Sequence, residues 1–135
     1  MKLFIETDLF EHKEVQPHFI NPCCFGEDFA SWLKRQLLGV PEPRFKVSEP
    51  IQEDYGWGLH VLYGDDRFWI ALSYVGDGPQ KAPAQWVVSV VHDPGLNIVK
   101  RLFNKPDQQA LMKLQAKIRE ILSSNDGIKI QVEKS

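Results

Sequence analysis

At 135 residues the chain is the size of one domain, long enough to bury a core without disulfide or metal staples. It is 43% hydrophobic and 25% charged with a net charge of -2, values that exclude a disordered chain and give nucleic acid no global positive field. Charge is uneven along it: residues 1–33 carry six acidic side chains against Lys2 and Lys13, whereas eight basic residues face four acidic ones from Lys100 onward. Such a split predicts oppositely charged faces, solvated or complementary between two copies.

No run of about 18 apolar residues exists, so no membrane span is expected. The opening MKLFIETDLFEHKE turns acidic too early for a signal peptide. Cys23 and Cys24 are adjacent and cannot staple a framework, which fits reduced thiols in a cytoplasm.

Residues 2–7 (KLFIET) predict a strand and 16–20 (QPHFI) a weaker one. A helix follows over GEDFASWLKRQLLGV, with Glu27 and Asp28 in a first turn where the macrodipole favours negative charge. Phe29, Trp32, Leu33 and Leu37 supply its apolar stripe, and Gly39 its C-cap. RFKVSEP (44–50) predicts a strand. YGWGLHVLY, the turn GDD and RFWIALSYV predict a hairpin, because both arms are rich in aromatic and branched residues. Pro79 and Pro83 make 76–84 a loop; QWVVSVVH (85–92) is a strand, DPG a turn and NIVKRLF (97–103) its return partner. A second helix, with Asn104 as cap and Pro106 and Asp107 in its first turn, carries Leu111, Leu114, Ile118, Ile121 and Leu122 on one stripe. IKIQVE closes the chain as a strand with Ile128, Ile130 and Val132 inward. Strands separated by only two helices predict a single α+β domain spanning 1–135, its mainly antiparallel sheet covered by both helices in two layers.

The central hairpin has two different faces. A two- or four-residue turn keeps parity, and pairing Tyr63 with Phe68, Val61 with Ile70, Leu59 with Leu72 and Trp57 with Tyr74 puts all eight on one apolar face. The opposite face carries Gly58, His60, Leu62, Trp69, Ala71, Ser73 and Val75, of which only His60 and Ser73 are polar. A solvated face would alternate with Lys, Glu and Thr. Something is therefore expected to cover it: the same chain first, then a second subunit, then a ligand.

Few residues offer chemistry. Glu53 and Asp54 could divide acid and base roles, yet neighbours on a strand point to opposite faces, so they read as an acidic turn anchored by Tyr55 and Trp57. A Ser73–His60–Asp54 triad lacks the GxSxG elbow. His92-Asp93 opens a turn that Asp93 caps. Cys24, just before a helix N-terminus, is a candidate reactive thiol. His18, Cys23 and Cys24 are spaced poorly for zinc, and no metal or other cofactor is expected. Lys105, Lys113, Lys117 and Arg119 make the last helix basic without interleaved aromatics, so no nucleic-acid partner is expected.

Gly26, Glu27, Trp32 and Leu33, followed by Glu53, Asp54, Tyr55, Gly56 and Trp57, give this chain a GExxxxWL segment and then an EDYGW segment. In this it resembles small uncharacterised bacterial proteins with the same two segments. The resemblance covers most of 20–133 and implies an architecture and a bacterial cytosolic setting, without an activity. The expected function is a non-catalytic protein-interaction module, immunity- or adaptor-like, with an unknown protein or a second copy as partner. The alternative is a small enzyme or ligand-binding protein around His60, Trp69 and Ser73.

Overall fold

The computed structural model describes residues 1–12, 14, 16–19, 25–75, 83–93 and 108–134, the last three without their side chains. Among the described residues, seven strands form one antiparallel sheet. They are β1 (Lys2–Thr7), β2 (Lys46–Val47), β3 (Ile51–Glu53), β4 (Gly56–Tyr63), β5 (Asp66–Val75), β6 (Gln85–His92) and β7 (Ile128–Lys134). The spatial order is β2-β4-β5-β6-β1-β7, with β3 also pairing β4, so the first strand lies between β6 and the last. Helices α1 (Glu27–Leu38) and α2 (Gln108–Ser123) pack on one face. The α+β class and the two-layer arrangement are those the patterning predicts.

Parity explains the core. Leu3, Ile5, Leu59, Val61, Phe68, Ile70, Leu72, Trp86, Val88 and Val90 all point to the helix side, each no more than 1% exposed. Phe29, Ala30, Leu33 and Leu37 of α1, and Ala110, Leu114, Ile118 and Leu122 of α2, close over them. At roughly 2 kcal/mol per fully buried large side chain, this layer supplies the main drive to fold.

The hairpin register differs from the expected one by two residues. Trp57 pairs with Leu72, Leu59 with Ile70, Val61 with Phe68 and Tyr63 with Asp66. Gly64 takes φ 62 while no described non-glycine residue has a positive φ, the pattern of a two-residue turn with glycine at its first central position. A shift of two leaves parity intact, so the apolar face survives the correction.

Other expectations shift too. Residues 44–50 do not form one strand: only Lys46–Val47 pairs there, and Ile51–Glu53 forms a separate short strand. The segment 16–19 is a turn, with Phe19 N–H donating to the Gln16 carbonyl at 3.1 Å. Gly39 caps α1 in a right-handed conformation, φ -78, so a glycine's freedom is not what the cap uses. Residues 76–82, the 97–103 strand, the first turn of the second helix and both cysteines lie outside the described residues.

Candidate functional site

The face of β4 and β5 turned away from the helices is open. Leu62 is 43% exposed, Val75 43% and Val91 46%, and Trp69, Ala71, Ser73, Val87, Ser89 and Phe4 are half-buried between them. Among the described residues, the expected cover from the same chain is not found: α1 and α2 both spend their apolar stripes on the other side. Within the sheet, side chains shield one another, so the middle of the face is half-buried while its corners are bare.

Trp69 dominates the surface. Its indole lies across Gly58, where a Cβ would come within 2.1 Å of ring atom Cζ2, so the glycine is the seat of the ring. Its Nε1–H donates to the Tyr55 hydroxyl at 2.7 Å, and the His60 ring lies 4.6 Å away between centroids. Three contacts thus fix one aromatic platform. Tyr55 is 45% exposed, and burial pushes its phenol above the ordinary value of 10.0; nearby Glu53 adds to the rise and the Trp69 N–H opposes it.

His60 stands beside the platform between two shallow depressions. One, of about 370 Å³, is lined by Glu53, His60, Trp69, Val91, His92 and Asp93; the other, of about 350 Å³, by Lys46, Val47, Ser48, His60, Leu62 and Arg67. His60 Nδ1 is buried without a hydrogen bond, 3.6 Å from Asp93 Oδ2. The same carboxylate oxygen lies 3.6 Å from Arg67 Nε, and Asp93 N–H donates to the Arg67 carbonyl at 2.8 Å. Register places these three together: Arg67 faces Leu62 across β4–β5, and Trp69 faces Val91 across β5–β6. A histidine 3.6 Å from a carboxylate in an open depression can orient a ring; a proton relay needs about 3 Å and a nucleophile within reach.

The candidate residues separate. Glu53, Tyr55, His60 and Trp69 share the open side. Trp57 does not: it is 5% exposed and packs on the helix side against Phe19 at 5.3 Å between centroids. Asp54 occupies the exposed β3–β4 turn. Ser73 lies on the open face but four residues along β5 from Trp69, roughly 13 Å, so it stays away from His60. The carboxylate at His60 is Asp93, not Asp54. Sequence reasoning missed Asp93, Arg67 and Val91, because their place depends on the β5–β6 register and nothing local marks it.

The two motif segments meet in space. Gly26 has φ +128 at the start of α1, and a Cβ there would lie 3.4 Å from Trp57 and 3.5 Å from Trp86. Gly56 has φ +153, and a Cβ would fall 2.2 Å from the Leu72 carbonyl oxygen. Glycines at 26 and 56 therefore let the helix entry and β4 close around Trp57, which is architecture rather than chemistry. His18, near the cysteines in sequence, pairs with Glu27 Oε1 at 2.6 Å on the surface. Among the described residues, no group of three or more His, Cys, Asp or Glu could hold a metal ion, and no helix is long and apolar enough to cross a membrane. Comparison with family models, curated proteins and solved structures finds no match to this chain.

Proposed function

We propose that this protein is a non-catalytic interaction module, immunity- or adaptor-like in kind, and that the open sheet face is its docking surface. One observation carries the reading: Leu62, Val75 and Val91, 43–46% exposed, frame a half-buried centre that the two described helices leave uncovered. Contiguous apolar patches of this kind on small proteins mark association sites more often than plain surface. The rigidly seated Trp69 suits it, since aromatic anchors with few rotamers lose little entropy on docking. The bacterial cytosolic setting that the two-segment resemblance implies belongs to the same proposal.

The test compares the protein in its own cells with the purified protein at high dilution. In a background with Cys23→Ser and Cys24→Ser, Val91→Cys, on the open face, and Met112→Cys, 64% exposed on α2, are labelled with a maleimide. Docking in the cell slows labelling at 91 relative to 112, whereas dilution restores it. Equal rates at both positions in both settings would reject the reading.

A second reading keeps a small-ligand or enzymatic site at His60. It is favoured by the approach of His60 to Asp93, which holds Nδ1 inward. A ligand that raises Tm in the natural chain and not in His60→Ala would move the assignment there.

A further inference from the structure

We propose that the depression on the β2 side of His60 binds a small organic acid, a carboxylate on a compact apolar body, seated on Leu62 between Lys46 and Arg67. This rests on the second reading, a small-ligand site at His60, and names its ligand class. It is independent of what docks on the rest of the face.

Register builds the site. Lys46 pairs with Leu62 across β2–β4, and Leu62 pairs with Arg67 across β4–β5, so the three form one row over adjacent strands. Residues directly opposite one another share a face, which puts both cations on the open side with the leucine. Their backbones stand about 10 Å apart, two strand spacings, with Leu62 midway. Leu62 is 43% exposed, an apolar floor between two long aliphatic stems that keep their charged heads in water. The next row supplies a wall, the His60 ring, which lies 4.6 Å from that of its pairing partner Trp69. With Val47 and Ser48, the row and the His60 wall line about 350 Å³, near the lower end for small-molecule sites.

The back of the depression is fixed before any ligand arrives. The sheet edge is interrupted between Val47 and Ile51, and Ser48 bridges the gap. Its N–H donates to the His60 carbonyl at 2.9 Å, while its hydroxyl accepts the His60 N–H at 2.9 Å and donates to the Glu49 carbonyl at 3.0 Å. Two of these bonds tie the end of β2 to β4, so binding has little backbone left to order.

Charge selects the ligand. The nearby carboxylates are engaged: Asp93 Oδ2 lies 3.6 Å from both Arg67 Nε and His60 Nδ1, Asp66 Oδ1 3.3 Å from His92 Nε2, and Glu49 Oε1 2.6 Å from Lys34 Nζ. Among the described residues, Lys46 has no ion-pair partner. Asp93 meets Arg67 at Nε, which leaves the Nη end of the guanidinium for a second acceptor. An ammonium on one flank and a guanidinium on the other suit a carboxylate, whereas an amine of the same shape meets two like charges. A bare anion has nothing to place on Leu62.

A proton–nitrogen NMR titration of the full chain at constant ionic strength decides it. The probes are phenylacetate, its neutral counterpart phenylacetamide, the cation phenethylamine, and acetate as the head without the ring. Phenylacetate shifts the amides of Lys46, Ser48, Leu62 and Arg67 with a Kd of the order of 1 mM, as expected for about ten heavy atoms on an open floor. The other three bind at least about tenfold more weakly. Lys46→Gln and Leu62→Ser, both at exposed positions, each raise the phenylacetate Kd about fivefold, while Lys129→Gln, exposed on β7, leaves it unchanged. Phenylacetamide or phenethylamine binding as tightly as phenylacetate overturns the acid and leaves a ligand site standing. Phenylacetate binding that is indifferent to Lys46→Gln and Leu62→Ser overturns this location. No shift from any probe at about 20 mM, well above the expected Kd, removes the ligand site as well.

Discussion

The two faces of the β4–β5 hairpin come from the same nineteen or so residues and differ only in parity. On one, Leu59, Val61, Phe68, Ile70 and Leu72 are fully buried; on the other, whose residues alternate with them along the strands, Leu62 and Val75 are 43% exposed. Hydrophobicity alone does not decide burial. What decides it is whether another layer arrives, and both described helices arrive on the same side. The proposed docking role rests on this contrast: the open face keeps its apolar character although neither described helix covers it.

This contrast is broken most sharply by truncating one leucine from each face. Leu59→Ala should cost about 3 kcal/mol in urea denaturation, through lost burial and an uncollapsed cavity. Leu62→Ala should stay within about 0.5 kcal/mol at concentrations where the chain is monomeric. Comparable losses at both would mean that the open face is built into the fold.

The glycines sharpen the same comparison. Gly56→Ala confronts a backbone carbonyl at 2.2 Å with φ +153, and a backbone cannot swing aside. We expect a loss of roughly 2–3 kcal/mol in thermal or urea unfolding. Gly58→Ala confronts only the rim of the Trp69 indole, which can leave at about 1–2 kcal/mol. Its signature is a red-shifted tryptophan emission with the helix-side core intact.

A smaller effect lies at Tyr55. Because burial raises its phenol above 10.0, the folded protein prefers the protonated form. Stability from this source is complete below pH 10 and is lost as pH rises through the raised value. Tyr55→Phe should abolish that alkaline loss and, by leaving the Trp69 Nε1–H to water, cost about 1 kcal/mol or less at neutral pH. Absorbance titration of the phenol together with unfolding at graded alkaline pH checks both.

Much of this arrangement was legible in the sequence for identifiable reasons. The stripes of α1 and α2 repeat at helical spacing, and the hairpin arms alternate with aromatic and branched residues, so fold class and face assignment followed from period alone. Register did not: two- and four-residue turns preserve the same parity, and only the φ 62 of Gly64 selects between them. Tyr55 and Trp57, two apart, would share a face on a strand. They part because Tyr55 sits in the turn before β4, where alternation does not hold. Asp93 reached His60 through pairing across β5 between segments thirty-three residues apart, and no local signal carries that. The open state of the second face was hidden for a different reason: an apolar pattern announces that a face wants cover without saying from where the cover comes.

Fluorine NMR of protein made with 5-fluorotryptophan tests the central claim most directly, since the four tryptophans report on both faces at once. Trp57 and Trp86 are at most 5% exposed and should show no solvent isotope shift at any concentration. Trp69, assigned through Trp69→Phe, should show that shift in dilute solution and lose it in intact cells. A Trp69 signal that keeps the same solvent contact in dilute solution and in cells would contradict the account.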